Sequence, residues 1–168
     1  MSKSRGIVWT LLVRLIHWLV ALCVLVNFFN ETGYWHRLIG YFCLGLVLCR
    51  IANGLWFSQI ATSKLYLPRF NAMRMHLKAL SMRQASTHVG HNPLGQYAVY
   101  AMWLLIILLG LTGWISRTDI YWGEDWPVDM HAMLSLLLQG MVLLHVLAIG
   151  LMSKLQGKNL IRAMIRGK

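Results

Sequence analysis

The stretch 129–153, DMHAMLSLLLQGMVLLHVLAIGLMS, decides the fold class of this chain. The 24 residues that follow Asp129 contain no Asp, Glu, Lys or Arg. A helix that spans a membrane needs about 20 predominantly apolar residues. Similar apolar runs cover residues 7–29, 36–57 and 94–116. We therefore predict an all-α, four-helix transmembrane bundle that forms a single integral membrane domain over residues 1–168.

The overall composition also favours a membrane location. Hydrophobic residues make up 58% of the 168 residues and charged residues only 12%, whereas a soluble domain carries about 25% charged residues. The three cysteines lie in apolar runs and form no CxxC pair, at positions 23, 43 and 49. This spacing excludes a disulfide framework and a zinc ribbon.

Charge is distributed unevenly among the connections between the spans. Twelve basic residues and no acid lie in the two terminal tails and in the connection between the second and third spans. The five acids lie in or beside the other two loops: Glu31, Asp119, Glu124, Asp125 and Asp129. Because cytoplasmic loops carry an excess of Lys and Arg, both termini are predicted to be cytoplasmic. The net charge of +11 then reflects topology and contact with the lipid bilayer, and no nucleic acid is needed as a partner.

The long basic connection has a helical pattern of its own. Phe70, Met73, Leu77 and Leu80 recur at helical spacing, and basic residues occupy the other faces. This pattern predicts an amphipathic cytoplasmic helix that lies on the inner leaflet between spans two and three.

Four of the seven histidines lie within the predicted spans, where ionisable side chains are costly and are functional candidates. His131 and His145 are 14 residues apart, which corresponds to a rise of about 21 Å and almost four full turns of one helix. They therefore share a face of the fourth span at two depths. His36 matches the depth of His131, and His17 matches that of His145. The sequence thus predicts two histidine pairs at two levels of the bundle.

Two facing imidazoles favour one kind of cofactor over others. Zinc takes three or four ligands, usually including sulfur or carboxylate, and a di-iron site needs several Glu residues. A haem needs only two axial ligands and a dry, flat slot, so we predict bis-histidine haem ligation. Small residues that would let a macrocycle approach the backbone are Gly40, Gly45, Gly110, Gly113 and Gly140. The alternative is that each histidine merely bonds a neighbouring helix.

Cationic side chains near these histidines have two possible roles. Arg37 and Arg14 could pair with haem propionates, since a guanidinium grips a carboxylate with two hydrogen bonds. They could instead extend to lipid phosphate. Arg50, near the inner end of the second span, is predicted to be a lipid anchor.

The segment before the third span also has two interpretations. Asn92 and Pro93 have the residue types of a helix N-cap and first helical position, which would explain the segment structurally. Alternatively, the helix N-terminus would stabilise a quinone carbonyl, and His91 would relay its proton. His91 and Asn92 are therefore candidate quinone-binding residues.

The chain resembles the bacterial four-helix di-haem cytochrome b561 family, which includes the cytochrome b subunits of nickel-iron hydrogenases. The matching segments are RLIHW (14–18), HRLIG (36–40), GHNPLG (90–95), His131, His145 and NLIRAM (159–164). The resemblance implies two b-type haems, with ligands carried over onto His17, His36, His131 and His145. It also implies a location in the bacterial inner membrane and electron exchange with quinone in the respiratory chain.

Three functions remain open at this stage. The first is transmembrane electron transfer between the quinone pool and a periplasmic partner such as a c-type cytochrome or hydrogenase. The second is an enzyme activity, a superoxide oxidase that reduces ubiquinone; the acidic loops would repel that anionic substrate. The third is a haem-free metal-binding or transport protein; in that case the matched depths of the two histidine pairs would be a coincidence.

Overall fold

The computed structural model describes residues 9–57, 65, 74, 93–157 and 159–167. In these ranges every regular element is a helix. The four long helices are α1 (Leu11–Phe29), α2 (Gly33–Ala52), α3 (Pro93–Ile115) and α4 (Trp126–Gln156). A π-helical turn, Asn53–Phe57, extends α2; a 3₁₀ turn, Asp119–Tyr121, precedes α4; and a short helix, α5 (Leu160–Arg166), closes the chain.

Each long helix belongs to a segment that is apolar and long enough to cross a membrane: Leu11–Phe29, Gly33–Phe57, Leu94–Ile115 and Trp126–Leu155. The predicted all-α, four-helix transmembrane fold is therefore confirmed. The amphipathic segment predicted from Phe70 onward lies outside the described residues, except for Arg74, which is helical and exposed.

Local sequence signals set several helix ends. Thr10 caps α1 by accepting a hydrogen bond from the Val13 backbone N–H at 3.3 Å, as an N-cap hydroxyl does. Pro127 occupies the first turn of α4, where its missing N–H costs no helical bond. Gly157 ends α4 in the left-handed region with φ of 61°, which glycine adopts without a Cβ clash.

The connections define two ends of the bundle. Three residues, 30–32, join α1 to α2, so these helices are antiparallel neighbours. The turn at residues 30–32 lies at the same end of the bundle as residues 116–125, which connect α3 to α4. We name this end the loop end. The opposite end is named the terminal end, because α1 begins and α5 lies there. At the terminal end, Arg14 of α1 donates a hydrogen bond from Nη2 to the carbonyl of Ile165 in α5.

The helices bury a narrow core and expose most of their apolar surface. The buried core cluster comprises Cys23, Cys43, Val47, Ile106 and Leu138. At most 22% of the most apolar window of any span is buried within the chain. Such exposure is unusual for a water-soluble monomer and suits helices whose outer surfaces contact lipid.

Candidate functional site

The loop end brings two of the predicted histidines into direct contact. His36 lies in the first turn of α2 and His131 in the second turn of α4, and both are half-buried. Their ring centroids are 5.9 Å apart, with 70° between the ring planes. A metal–imidazole bond is about 2.0 Å long, so two rings that ligate one ion from opposite sides have centroids about 6 Å apart. The observed separation therefore fits two ligands of one metal.

The Nδ1 atom of each loop-end ring has a hydrogen-bond partner. His36 Nδ1 lies 2.6 Å from the Asn30 carbonyl oxygen, and His131 Nδ1 lies 3.0 Å from Thr112 Oγ1. A carbonyl oxygen only accepts, so His36 Nδ1 must carry the hydrogen. Its Nε2 is then left with a lone pair. A histidine that ligates a metal usually donates its other ring N–H to such an acceptor.

A cleft of about 690 Å³, including its open mouth, surrounds this pair. Residues that line it are Cys23, Val24, Asn27, Phe28, His36, Arg37, Gly40, Tyr41, Cys43, Ile106, Leu109, Gly110, Gly113, His131, Ser135 and Leu138. Its lining is mostly apolar, with the two imidazoles and one guanidinium as its basic groups. That composition fits a haem with axial histidines and acidic propionates.

Three of the five predicted small residues line this cleft: Gly40, Gly110 and Gly113. Gly113 has the most direct role, because a Cβ there would lie 3.3 Å from His131 Cε1. At Gly110 a Cβ would meet Leu44 Cδ2 at 2.7 Å, so this glycine lets α2 and α3 pack closely. A Cβ at Gly45 or Gly140 would meet no atom of the described chain within 4 Å.

The second predicted pair is arranged differently. His17 on α1 and His145 on α4 are both half-buried and lie within electrostatic range of each other. No ring contact joins them within the described residues; His17 instead packs edge-on against Trp18, with centroids 5.3 Å apart. Since α1 packs mainly on α2, and α4 mainly on α3, the helices of this pair are not close neighbours, and the same holds for α2 and α4 of the loop-end pair.

His17 Nδ1 is the clearest polar irregularity at this level. It is fully buried and has no hydrogen-bond partner in the part of the chain that the structure describes. An unsatisfied buried ring nitrogen costs free energy, and His17 thus lacks the Nδ1 contact that each loop-end ring has. Among the described residues, no group of three or more His, Cys, Asp and Glu side chains could hold a metal ion. The two imidazoles that meet at the loop end, His36 and His131, match the number of axial ligands that a haem takes.

The predicted cationic residues are found in three different settings. Arg37 lines the loop-end cleft beside Tyr41, as a propionate partner would. Arg14 bonds α5, and its buried Nε has no partner among the described atoms. The prediction that Arg50 is a lipid anchor is wrong: its side chain is 8% exposed and lies over the Trp103 ring at 5.6 Å.

The proposed quinone residues His91 and Asn92 lie outside the described residues. Within the described residues, α3 begins at Pro93. The helix cap at Asn92 and the first helical position at Pro93 stay predictions, because the residues before Pro93 lie outside the described ranges.

Two residues that contact the loop-end histidines were not singled out from the sequence. Thr112 faces His131. Asn27 lines the cleft and donates from Nδ2 to the His36 carbonyl at 3.1 Å, while its buried Oδ1 has no partner within the described ranges. The feature of the sequence that could have identified Thr112 and Asn27 is that each is a polar residue inside an apolar span.

Four apolar helices, two of which bring His36 and His131 together, define a multi-pass membrane protein with a candidate cofactor site. Comparison with protein families identifies which one: the family of prokaryotic cytochrome b561 matches residues 8–167, and the chain belongs to it. This family implies b-type haem binding and electron transfer in a membrane. Neither curated proteins nor solved structures yield a match to the chain.

Proposed function

We propose that this protein transfers electrons across the bacterial inner membrane, between the quinone pool and a periplasmic redox protein, through two bis-histidine b-type haems. His36 and His131 hold one haem at the loop end, and His17 and His145 hold the other nearer the terminal end. The observation that carries the proposal is the loop-end pair: two imidazoles at ligand spacing, each with its Nδ1 engaged. Residues 1–168 act as one integral membrane domain.

The protein contributes ligation, orientation and a dry environment. When bound, each haem iron alternates between the ferric and ferrous states and so carries one electron. His36 and His131 approach from different helices, and Gly40 and Gly113 line the cleft beside them. Arg37 is the cleft residue suited to a propionate, because its planar guanidinium can donate two parallel hydrogen bonds. Arg14 Nε is the corresponding donor near His17.

The charge pattern supports an orientation with both termini in the cytoplasm. At the terminal end, Lys154, Arg162 and Arg166 are exposed, and cytoplasmic segments are enriched in such residues. At the loop end all five acids are exposed. The loop end therefore faces the periplasm, and the haem between His36 and His131 is the one nearer the periplasmic partner.

The loop end also has the features of a docking surface for a cationic protein. Ile120 is 84% exposed and Trp122 is 72% exposed, between exposed carboxylates at Asp119 and Glu124. Aromatic residues are enriched at protein interfaces, and complementary charge steers a transient partner. A basic c-type cytochrome, or a hydrogenase with a basic face, fits this surface. The same acids disfavour superoxide as the substrate, since they would repel an anion.

Quinone is proposed to react at the terminal end, beside the N-terminus of α3. The first N–H groups of a helix have no intrahelical acceptor and would stabilise a negatively polarised carbonyl. His91 and Asn92 directly precede Pro93, where α3 begins. His91 would supply or accept the proton that accompanies quinone reduction or oxidation.

The test is a reduced-minus-oxidised visible spectrum of the purified protein with a pyridine haemochrome count. We expect two b-type haems per chain, falling to about one in His36→Ala and in His17→Ala. His76→Ala, which removes a histidine from the predicted amphipathic segment, is the matched control and should retain both haems.

Other counts would revise the proposal in definite ways. One haem in the unaltered chain would mean that one histidine pair is misassigned and that electrons cannot cross as proposed. No haem in a folded preparation would refute the two-haem proposal and favour a haem-free transport or metal-binding role.

A further inference from the structure

Thr112 is one of only two buried polar or charged residues in the described part of the chain, at 7% exposure. It lies in α3, which contributes neither histidine of the loop-end pair. Its Oγ1 is 3.0 Å from His131 Nδ1. The next residue, Gly113, provides the space that the same imidazole occupies. Two consecutive residues of α3 thus adjoin the His131 ring. Thr112 forms a hydrogen bond with it, and Gly113, which has no side chain, leaves space for it.

The hydrogen bonds of Thr112 determine which partner donates to which. A threonine hydroxyl has one hydrogen and two lone pairs. Thr112 Oγ1 donates to the Leu108 carbonyl at 2.9 Å, with the Leu109 carbonyl also in range at 3.2 Å. Since its only hydrogen points to its own helix, Oγ1 can only accept from the imidazole. His131 Nδ1 must therefore carry the hydrogen, and Nε2 keeps the lone pair.

We propose that Thr112 is a positioning residue that holds His131 in the Nδ1–H tautomer and lowers the midpoint potential of the loop-end haem. Accepting a hydrogen bond from Nδ1–H makes the imidazole a stronger electron donor. A stronger donor stabilises ferric iron more than ferrous iron, so the haem is harder to reduce. The proposal rests on the proposed haem ligation by His131.

The chain offers a matched control for the hydroxyl itself. Thr118 donates from Oγ1 to the Ile115 carbonyl at 2.8 Å, which is the same kind of bond to a preceding backbone oxygen. It is half-buried and follows the same helix, yet its hydroxyl bonds no histidine among the described residues. The Thr118→Val variant therefore loses a hydroxyl that bonds a preceding backbone carbonyl, but it loses no hydrogen bond to an imidazole.

The experiment is a spectroscopic redox titration of the purified holoprotein and of Thr112→Val, Thr112→Ser and Thr118→Val, with a haem count for each. Valine preserves shape but cannot accept a hydrogen bond. We expect Thr112→Val to raise the midpoint potential of one haem, shifting its ferrous-to-ferric ratio about tenfold, which is about 59 mV for one electron. The affinity for that haem should fall in parallel by at least tenfold. Thr112→Ser keeps a hydroxyl at this position, so its midpoint potentials and haem affinity should equal those of the unaltered protein. Thr118→Val should also leave both quantities unchanged.

Outcomes that overturn the inference are distinct from those that overturn the two-haem proposal. Unchanged potentials in Thr112→Val, or equal shifts in Thr112→Val and Thr118→Val, would refute a role for Thr112 at His131. If Thr112→Val does not accumulate, Thr112→Ala removes the same acceptor without filling space and is held to the same expectation. Absence of haem in the unaltered protein would instead refute the ligation on which the inference rests. A single haem that responds to Thr112→Val would support the inference while refuting the second haem.

Discussion

The two ends of the bundle hold their histidines in different ways. At the loop end, His36 and His131 face each other at 5.9 Å, and both Nδ1 atoms have partners. At the terminal end, His17 has a buried Nδ1 with no partner among the described residues, and no ring contact joins it to His145 within the same ranges. The Asn30 carbonyl and the Thr112 hydroxyl on α3 thus orient the two rings of the first pair through contacts within the chain. The second pair of histidines is held by fewer contacts.

This difference has a physical origin in how the helices connect. At the loop end, the turn between α1 and α2 is only three residues long, so the Asn30 carbonyl lies close to His36. At the terminal end, the chain is joined through the side chain of Arg14 and the carbonyl of Ile165, which are 151 residues apart in sequence. Short-range closure orients a ring with little loss of chain entropy, whereas long-range closure costs more.

The largest expected effect comes from filling the space beside His131. In Gly113→Leu, a Cβ 3.3 Å from His131 Cε1, followed by three further carbons, would displace the ring. We expect the haem count to fall from two to about one, with the remaining spectrum that of the terminal-end haem. Gly150→Leu is the control, because a Cβ there meets nothing within 4 Å among described atoms. Retention of both haems in Gly113→Leu would show that the loop-end cleft is not the binding site.

Next in size is the effect of charge at the loop end on the partner reaction. Replacing Glu124 and Asp125, both exposed, with lysine should slow electron exchange with a basic c-type cytochrome about tenfold at low ionic strength. The difference should disappear near 1 M salt, where the screening length is about 3 Å. Stopped-flow mixing at several salt concentrations measures both effects.

A matched reversal at the other end sharpens the same test. Lys154→Glu with Arg162→Glu changes two exposed charges at the terminal end and should leave the rate unchanged. If this variant slowed the reaction as strongly as the loop-end variant, docking would not be confined to the loop end.

The sequence predicts the four helices, and the meeting of His36 with His131, for simple reasons. Uninterrupted apolar runs of membrane length have few alternatives to a spanning helix, and the fixed rise of a helix relates His131 to His145. Contacts between helices are harder to predict. Arg50 was expected at the lipid surface, yet it is buried over Trp103, because a residue's depth does not reveal which face of the helix it occupies.

Thr112 illustrates the same limit at the site. It lies in a stretch of α3 that is apolar on every side, so no periodic pattern marks the face that meets α4. Its role becomes evident only when the distance from its hydroxyl to His131 is known. A polar residue inside a span is a usable signal, but the sequence does not say which partner it has.

A smaller effect is expected from the tie at the terminal end. Arg14→Ala removes the hydrogen bond from Nη2 to the Ile165 carbonyl. The bond is charge-assisted but solvent-exposed, so its loss should cost about 1 kcal/mol. We expect a lower thermal midpoint in detergent and faster tryptic cleavage within α5, with Arg117→Ala, which changes an exposed arginine at the loop end, as the control. Cleavage of α5 at the unaltered rate would mean that Arg14 does not hold this helix.

The smallest expected effects compare the starts of α1 and α2. Thr10 accepts a hydrogen bond from the Val13 N–H, whereas Thr32, the corresponding residue of α2, makes no such bond in the described structure. Thr10→Ala should lower the free energy of unfolding by about 1 kcal/mol, and Thr32→Ala by only a few tenths. The reason is that the start of α2 is held by other contacts: the bond from His36 to Asn30, and that from Asn27 to the His36 carbonyl. Equal losses in the two variants, measured by denaturant unfolding in the same detergent, would mean that these contacts do not replace a cap, and that the loop end is no better organised than the terminal end.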